Sequence, residues 1–370
     1  METQNKRAFQ PNYAHPPGAY LERVLELRGL KKVDFAMRCG RPSKTISEII
    51  SGLTTVTPET AIQFEHVLNI PARQWLSMEA AYRLHLAKAE EVAILNDGKK
   101  WAELLPIKEL QKRGYIEKHT DWADAVRLLL NFFGVGSVDA WGDFWGERKK
   151  ATAFRKSGKH ISNEYAIASW LRIGEVLATE IKTATYDPKL FRQTLIEIRS
   201  LTRKSREEFE PELVAACARS GVAVVIVPEL KGARVSGAAR WVSKDKPLIQ
   251  LSTRYKFDDQ FWFSFFHEAG HILLHSKKKT FLDEDDGDAK NEEFEANQFS
   301  ENILMPNHLW KEFYDRYPYD GPTKRYTEVN IIEFSEYAGI SPGILVGQIV
   351  RKKPAMRKSK INKLKVNIDS

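Results

Sequence analysis

The sequence contains little cysteine and no long apolar segment. Cys39 and Cys217 are the two cysteines among 370 residues, and they fall in segments predicted to be helices of different domains, so a disulfide framework is not expected. The N-terminal residues are polar and lead into proline-containing sequence instead of an apolar core. No run of 18 apolar residues occurs, which argues against a secretory leader and a membrane span. We therefore expect a cytoplasmic protein with no membrane partner.

Excess positive charge is also scarce outside the C-terminal end. The formal net charge is +8, but residues 351–370 alone contain eight basic residues and one acidic residue. The rest of the chain is therefore close to neutral, and the overall charge is weak evidence for nucleic-acid binding. The basic tail is compatible either with contacts to DNA phosphates or with a solvated C-terminal extension.

A group of ionisable residues stands inside an apolar segment at residues 267–271, which read His-Glu-Ala-Gly-His. On a helix, residues four apart lie on one face, so His267 and His271 can direct both imidazoles at one metal ion. Glu268 is then the natural general base, because zinc lowers the pKa of a bound water and a neighbouring carboxylate can accept its proton. The motif predicts a catalytic Zn2+ site; a core helix with surface-facing histidines is the alternative.

A catalytic zinc site needs a third protein ligand, and the segment 291–306 provides candidates. Its apolar residues have helical spacing, and a proline closes it. Glu293 and Asn297 share one face of this helix, so we expect Glu293 to bind the metal and Asn297 to hydrogen-bond a ligand as a second-shell residue. The spacing leaves other carboxylates open as the ligand, namely Glu292, Glu295 and Glu301.

A third histidine continues the four-residue series at position 275. At about 1.5 Å per residue, His275 lies roughly 12 Å along the helix from His267, too far for both to bind one ion. We therefore expect His275 to face substrate or solvent.

The apolar residues of the segment 18–82 also have helical spacing, which is broken at glycines and a proline. This pattern predicts a compact bundle of about five helices. Three consecutive segments fit the first helix, the turn and the recognition helix of a DNA-reading helix-turn-helix, at residues 31–38, 39–42 and 43–50. A helical bundle with no nucleic-acid role has the same spacing and is the alternative.

The predicted recognition helix has an apolar and a polar face. Ile46, Ile49 and Ile50 are expected to point inward, which leaves a short polar set suited to base edges and phosphates. With one arginine from the turn, the candidate DNA-binding residues are Arg41, Ser43, Lys44, Thr45, Ser47 and Glu48.

The middle of the chain, at residues 84–210, is predicted to be helical. Its aromatic residues are expected to fill a core, with a ligand-sensing pocket as the alternative; they are Trp101, Trp122, Phe132, Phe133, Trp141, Trp145 and Trp170. Runs rich in valine and isoleucine then predict a small sheet, at residues 221–227, 235–242 and 247–252. Residues 238–241 are our candidate for positioning a substrate that adds as a strand, with an ordinary strand as the alternative.

Two parts of the sequence resemble known families. Residues 18–82 resemble the XRE helix-turn-helix of HigA-type antitoxins, through Thr-Ile-Ser-Glu-Ile-Ile-Ser-Gly at 45–52 and Gln-Trp-Leu at 74–76. Residues from about 160 to 350 resemble the ImmA/IrrE metallopeptidase family, through Phe-Trp-Phe at 261–263, the motif at 267–271 and Glu-Phe-Glu-Ala-Asn-Gln-Phe at 293–299.

The second resemblance implies zinc held by His267, His271 and Glu293, with Glu268 catalytic. Members of that family are associated with site-specific cleavage of phage-type or stress-response repressors, which relieves repression of neighbouring genes. Ser300 stands where the family commonly has alanine, a small-for-small change that should not disturb the helix.

These observations predict an α+β, mainly α chain with five segments. They are an N-terminal arm (1–17), an XRE helix-turn-helix DNA-binding domain (18–83), a helical middle region (84–210), a zincin-like metallopeptidase domain with a small β-sheet and the active-site helix (211–350), and a basic C-terminal tail (351–370).

Two functions fit this organisation. The first is a DNA-binding transcriptional regulator with a zinc endopeptidase domain that cleaves a repressor or antitoxin protein. The second is a non-proteolytic antitoxin or autorepressor that uses the peptidase-like domain as a sensor or toxin-binding module. Both imply operator DNA as a partner, and the second adds a toxin. The sequence leaves open whether the chain forms a homodimer, as helix-turn-helix proteins commonly do to bind two half-sites.

Overall fold

The computed structural model describes residues 15–151, 154–156, 163–275, 286–318 and 326–368. The chain divides into two compact units, Met1–Lys99 and Lys100–Ser370. Most of the predicted N-terminal arm lies outside the described residues. Within those residues, no helix combines the length and the apolar character needed to cross a bilayer.

Five helices make up the described part of the first unit, as the periodicity predicts. They are α1 (Pro17–Leu27), α2 (Lys32–Arg38), α3 (Ser43–Ile50), α4 (Pro58–Leu68) and α5 (Ala72–Asp97). The helix-turn-helix consists of α2, a turn and α3. Helix α5 continues through residue 83, where the sequence places the end of the domain, and the predicted domain boundaries stay predictions.

The core of the first unit joins aromatic side chains from α2, α4 and α5. The ring centroid of Phe64 lies 5.1 Å from that of Phe35 and 5.3 Å from that of Trp75. Helix α3 contributes Ile46 and Ile49, which are buried, while Ile50 is half-buried. This packing turns the polar face of α3 outward.

The second unit contains the remaining helices and the strands. Its helices are α6 (Lys99–Leu104), α7 (Ile107–Lys112), α8 (Trp122–Phe133), α9 (Val138–Ala151), α10 (Glu164–Glu180), α11 (Pro188–Ile198), α12 (Arg206–Arg219), α13 (Asp258–Leu274), α14 (Asp286–Leu304), α15 (Asn307–Arg316), α16 (Glu328–Ala338) and α17 (Pro342–Lys352). Short 3-10 helices span Arg199–Arg203, Pro354–Lys358 and Lys360–Leu364. The predicted mainly α fold with a small sheet is confirmed.

The strands are β1 (Phe154–Lys156), β2 (Ala223–Ile226), β3 (Val235–Ser243) and β4 (Lys246–Leu251). They form one mixed sheet in the order β1-β3-β4-β2. Strands β3 and β4 are an antiparallel hairpin, β2 runs parallel to β4, and β1 pairs antiparallel with β3. Strand β1 falls in the region predicted to be helical. Its three residues carry no strand pattern, and pairing with β3 makes them a strand.

Polar residues begin several helices where the sequence changes from loop to apolar spacing. Each accepts a hydrogen bond from a backbone N–H of the first turn, which satisfies a donor that has no partner within the helix. These residues are Thr57, Asp121, Asn163, Asp187, Thr327 and Ser341.

The aromatic residues of the middle region form a core, as predicted. Trp122 is half-buried, and the other six predicted residues are buried. The ring centroid of Phe133 lies 5.6 Å from that of Trp141 and 5.4 Å from that of Trp145, with nearly perpendicular planes. Edge-to-face contacts of this kind stabilise aromatic cores.

The two cysteines are buried free thiols. Burial raises the pKa of the Cys39 thiol to about 11 and raises that of Cys217 as well. Neither thiol is a ready nucleophile at neutral pH, since the thiolate is the reactive form.

The basic C-terminal segment is folded, which argues against the solvated extension, one of the two alternatives that its charge left open. Met356, Ile361 and Ile368 are buried in the main core of the second unit. The backbone N–H of Ile368 donates to the carbonyl of Lys256 over 2.8 Å. The sequence did not predict this packing, because the apolar residues of the segment are few and stand among many lysines and arginines.

Asp258 anchors this segment to the first turn of α13. Its backbone N–H donates to the carbonyl of Val366 over 2.9 Å, and its carboxylate accepts from the backbone N–H of Val366 over 3.1 Å and from the hydroxyl of Ser341. Burial raises the pKa of the Asp258 carboxyl to about 6. Beside it, the ammonium of Lys365 lies 2.8 Å from the carboxylate of Asp259. The segment therefore fastens the start of the helix that carries the predicted site.

Replacing Ile361 with alanine tests this packing. We expect Ile361→Ala to lower the free energy of unfolding by about 2–4 kcal/mol, the usual result of truncating a buried isoleucine. Val366→Ala is the matched control, because the Val366 side chain is 54% exposed. Urea unfolding followed by tryptophan fluorescence measures both, and equal stabilities for the two variants would contradict the packed segment.

Candidate metal centre

Helix α13 holds both histidines of the motif inside the core. Phe261, Trp262 and Phe265 bury its N-terminal half, and Ile272 is buried beyond the motif. Because the helix is enclosed on most of its surface, His267, Glu268 and His271 are all buried as well. Ionisable groups in such surroundings carry a large desolvation cost unless they have charged or metal partners.

Helix α14 lies close against α13 at the motif. A Cβ atom on Gly270 would stand 3.2 Å from the Cα atom of Ala296, so a glycine here permits the approach. One turn further along, the buried hydroxyl of Ser300 donates to the carbonyl of Phe263 over 2.9 Å. Ser300 therefore adds a hydrogen bond between the two helices.

The close approach brings a carboxylate from α14 to both histidines. The Nε2 atoms of His267 and His271 lie 3.1 Å apart. The Glu293 carboxylate oxygens lie 3.5 Å from Nε2 of His267 and 3.4 Å from Nε2 of His271. Around a tetrahedral ion with bonds of about 2.0–2.1 Å, ligand atoms stand about 3.3–3.4 Å apart. The three donors therefore have the mutual spacing that a divalent metal ion requires.

The other carboxylates of α14 lie differently. Glu295 contacts His275, with its Oε2 3.3 Å from the His275 Nε2. Glu301 lies 3.6 Å from the Arg351 guanidinium. Glu292 is half-buried, and its charge acts on both His271 and His275. Among the residues that the structure describes, Glu293 alone joins the two histidines in a donor cluster of this kind.

Charge around His271 favours its positive form when no metal is bound. Burial lowers the pKa of this histidine, but a hydrogen bond that its ring donates to Glu293 and the charges of nearby carboxylates outweigh burial and raise the pKa overall. A bound cation takes the place of that proton, because both neutralise the same carboxylates.

Glu268 lies between the helix and the sheet. A Cβ atom on Gly237 of β3 would stand 2.7 Å from Oε1 of Glu268, so only glycine leaves room for this carboxylate. Gly237 is not among the predicted site residues. A glycine inside a predicted strand is a known sign of close approach and could have identified it.

Strand β3, which contains the candidate for positioning a substrate, is covered at the start of one edge. Strand β1 pairs with it at Val235 and Ala238. The Arg240 side chain is buried and donates to the carbonyl of Leu171 and to the side chain of Gln250. Arg240 thus binds the sheet to α10 and does not face a substrate.

The side chain of His275 contacts His271, although a substrate-facing or solvent-facing position was expected. The Nδ1 atoms of the two rings lie 2.9 Å apart, and the His275 side chain is 10% exposed. Asn297, predicted to hydrogen-bond a ligand, is half-buried on α14. A hydrogen bond from Asn297 to a ligand stays a prediction. Nδ1 of His271 contacts His275.

The predicted DNA-binding residues of α3 are all at least partly exposed. Ser43, Lys44 and Ser47 are exposed, whereas Thr45 and Glu48 are half-buried. The Glu48 carboxylate lies 3.8 Å from the Lys44 ammonium, so two residues of the polar face form an ion pair with each other.

Arg41 is partly engaged within the bundle. Its Nε donates to the side-chain oxygen of Gln63 over 2.7 Å, and the residue is half-buried. This contact connects the turn to α4 and orients the guanidinium. Binding of DNA by these residues stays a prediction.

Comparison with known proteins identifies part of the chain. Residues 217–346 match the IrrE N-terminal-like domain, a peptidase family model. No curated protein matches the chain significantly. Among solved structures, a putative antidote protein of a plasmid maintenance system from Nostoc punctiforme is 26% identical, over 21% of this chain and 85% of that one, with a TM-score of 0.21. An addiction module antidote protein of the HigA family from Coxiella burnetii is 22% identical, over 24% of this chain and 90% of that one, with a TM-score of 0.20.

Removing each candidate carboxylate in turn tests the donor set. We expect Glu293→Ala to weaken binding of a divalent metal by more than about 10-fold, since even outer partners of ligands contribute that much. Glu301→Ala is the control on the same helix and should bind metal as the wild type does. Isothermal titration of the metal-stripped protein measures both. A larger loss in Glu292→Ala or Glu295→Ala than in Glu293→Ala would assign the ligand elsewhere.

Proposed function

We propose that this chain, in which residues 217–346 form an IrrE N-terminal-like domain, is a zinc-dependent endopeptidase joined to a DNA-binding module. Its substrate is a repressor or antitoxin protein, and cleavage relieves repression. The observation that carries the proposal is the cluster of buried His267 and His271 with half-buried Glu293, and the buried Glu268 beside it.

The donor set favours zinc over other common divalent ions. Two imidazole nitrogens and one carboxylate oxygen are a ligand set found in zinc peptidases, with the fourth position left open for water or substrate. Calcium and magnesium prefer six or more oxygen ligands, which this cluster does not offer. Zinc held there would polarise the scissile carbonyl and acidify the attacking water.

Glu268 is the residue of this chain that moves the proton. It follows the first histidine directly, so its carboxylate stands on the adjacent face of α13, where Gly237 makes room for it. In the proposed reaction Glu268 takes the proton of the attacking water and delivers it to the leaving amine.

The surrounding core keeps the motif in place. The His267 ring stacks on Phe263, with centroids 6.1 Å apart and planes 28° apart. The Arg351 guanidinium carbon lies 3.4 Å from the centroid of that Phe263 ring. Side chains locked by packing hold a reacting group in one geometry and so reduce the entropy lost in the transition state.

The helix-turn-helix gives the proposed peptidase its location. The outward residues of α3 would contact operator DNA, so the regulator to be cleaved and the peptidase meet at one promoter. The high local concentration of the substrate at the promoter then makes a high intrinsic affinity of the peptidase for it unnecessary.

The alternative is a DNA-binding antitoxin or autorepressor whose peptidase-like domain serves as a sensor or toxin-binding module. Such a module needs His267 and His271 to hold a metal but has no chemical use for Glu268. The buried base beside the metal ligands therefore favours the peptidase.

Replacing Glu268 with glutamine separates the two functions. We expect Glu268→Gln to lower cleavage by about 100-fold or more, because it removes the general base while the metal ligands stay. New protein N-termini in host cells, compared before and after DNA damage, identify the substrate as a terminus made only by the wild type. The cleavage is then repeated with purified components and zinc.

Glu336→Gln is the matched control for this substitution, since Glu336 is exposed on α16. It should give the wild-type profile. Identical profiles for wild type and Glu268→Gln under every inducing condition would support the non-proteolytic regulator instead.

Replacing Lys44 with alanine tests the DNA-binding face. If its ammonium neutralises a phosphate, Lys44→Ala should weaken binding to a mixed-sequence duplex and reduce the slope of log affinity against log salt by about 1. Lys189→Ala, an exposed lysine of the second unit, should change neither. Fluorescence anisotropy across a salt series measures the slope, and an unchanged slope in Lys44→Ala would remove this residue from the interface.

A further inference from the structure

A chain of three side chains runs outward from the metal centre. Nδ1 of His271 lies 2.9 Å from Nδ1 of His275, and Nε2 of His275 lies 3.3 Å from Oε2 of Glu295. The His271 and His275 ring centroids are 5.0 Å apart, with planes inclined at 56°. The Glu295 carboxylate is 59% exposed, so the chain begins at a buried ligand and ends at the surface.

Proton positions along this chain follow from its chemistry. When Nε2 of His271 offers its lone pair to a metal, Nδ1 of the same ring must carry the hydrogen. His275 then accepts that hydrogen at Nδ1, so its own hydrogen is on Nε2. That Nε2–H points at Glu295, whose carboxylate accepts. Every donor in the chain meets an acceptor, and the arrangement needs only neutral histidines and an ionised glutamate.

The position of His275 at the end of α13 allows its ring to take part in this hydrogen-bonded chain. His275 is the residue at which α13 ends, with φ −103° and ψ 143°. Its backbone N–H still donates to the carbonyl of His271 over 3.3 Å. The extended conformation at this position breaks the helix, so the His275 ring need not continue up the helix face as a regular i+4 side chain does.

We propose that His275 and Glu295 are positioning residues for the metal centre, which fix the orientation and tautomer of the ligand His271. Hydrogen bonds from ligand histidines to outer partners orient the ring and raise its basicity, and losing such a partner usually weakens metal binding by 10–100-fold. Here a second histidine carries the effect of the carboxylate to the ligand. The role rests on the metal site of the proposed function and does not depend on catalysis.

Zinc affinity tests the role without an activity assay. We measure the dissociation constant of the full chain by competition with a chromophoric chelator, for wild type, His275→Ala, His275→Asn, Glu295→Gln and His308→Ala. His308 is an exposed histidine on α15 and serves as the control. We expect His275→Ala to weaken zinc binding by about 10–100-fold, and His308→Ala to bind as the wild type does.

Asparagine separates hydrogen bonding from packing. The amide oxygen of His275→Asn can stand near the position of Nδ1 and accept from His271, so we expect it to recover most of the affinity that alanine loses. Glu295→Gln keeps an acceptor oxygen but loses the charge, and we expect a smaller loss than with His275→Ala. Cobalt substitution provides a second readout, since a reoriented His271 changes the visible absorption of a tetrahedral Co2+ site.

The outcomes are distinguishable. If wild type binds no zinc, the metal site of the proposed function fails and the positioning role fails with it. If wild type binds zinc and His275→Ala binds it within about threefold, only the positioning role is overturned. Equal losses for asparagine and alanine would also overturn it, because they would show a packing effect. Circular dichroism of each variant verifies folding, and Glu295→Gln, at an exposed position, tests the chain if His275→Ala does not fold.

Discussion

The close contact between α13 and α14 is the constraint on which the metal centre depends. One helix supplies two imidazole nitrogens and the other supplies a carboxylate, so three donors converge only if the helix backbones nearly touch. Gly270 and Ala296 make that approach sterically possible. The hydrogen bond from Ser300 to the carbonyl of Phe263 fixes how far one helix slides along the other.

This contact also creates an energetic demand. His267 and Glu268 are fully buried among aromatic side chains, where uncompensated ionisable groups destabilise the folded state. A bound cation offsets the cost by neutralising the carboxylates and using the imidazole lone pairs. Metal binding and the stability of the second unit are therefore linked, since the donors are assembled only in the folded chain.

The C-terminal segment supports the same helix from its other end. Asp258 and Asp259, in the first turn of α13, bond to Val366 and Lys365. Lys363 likewise lies 2.8 Å from the Glu328 carboxylate. Part of the positive charge concentrated at the C-terminus is thus paired within the fold.

Local periodicity predicted much of the architecture. The helices of the first unit and strands β2, β3 and β4 could be read from the sequence, because their apolar residues recur at the period of the element they form. Strand β1 and the packed C-terminal segment could not. Strand β1 has only three residues, too few to show a periodic pattern. The apolar residues of the C-terminal segment can be recognised as core residues only from their contacts with the rest of the core.

The candidate site, like the fold, could be predicted from the sequence only in part. The sequence by itself determined that His267 and His271 share a helix face, since their spacing matches the helical repeat, and that Glu268 directly follows the first of them. Only the tertiary structure decided which carboxylate of α14 lies beside the two histidines, that Gly237 makes room for Glu268, and that the His275 ring contacts His271. These contacts join residues from different elements or depend on where a helix ends, and the distance between such side chains is set by packing, which the spacing of residues along the chain does not encode.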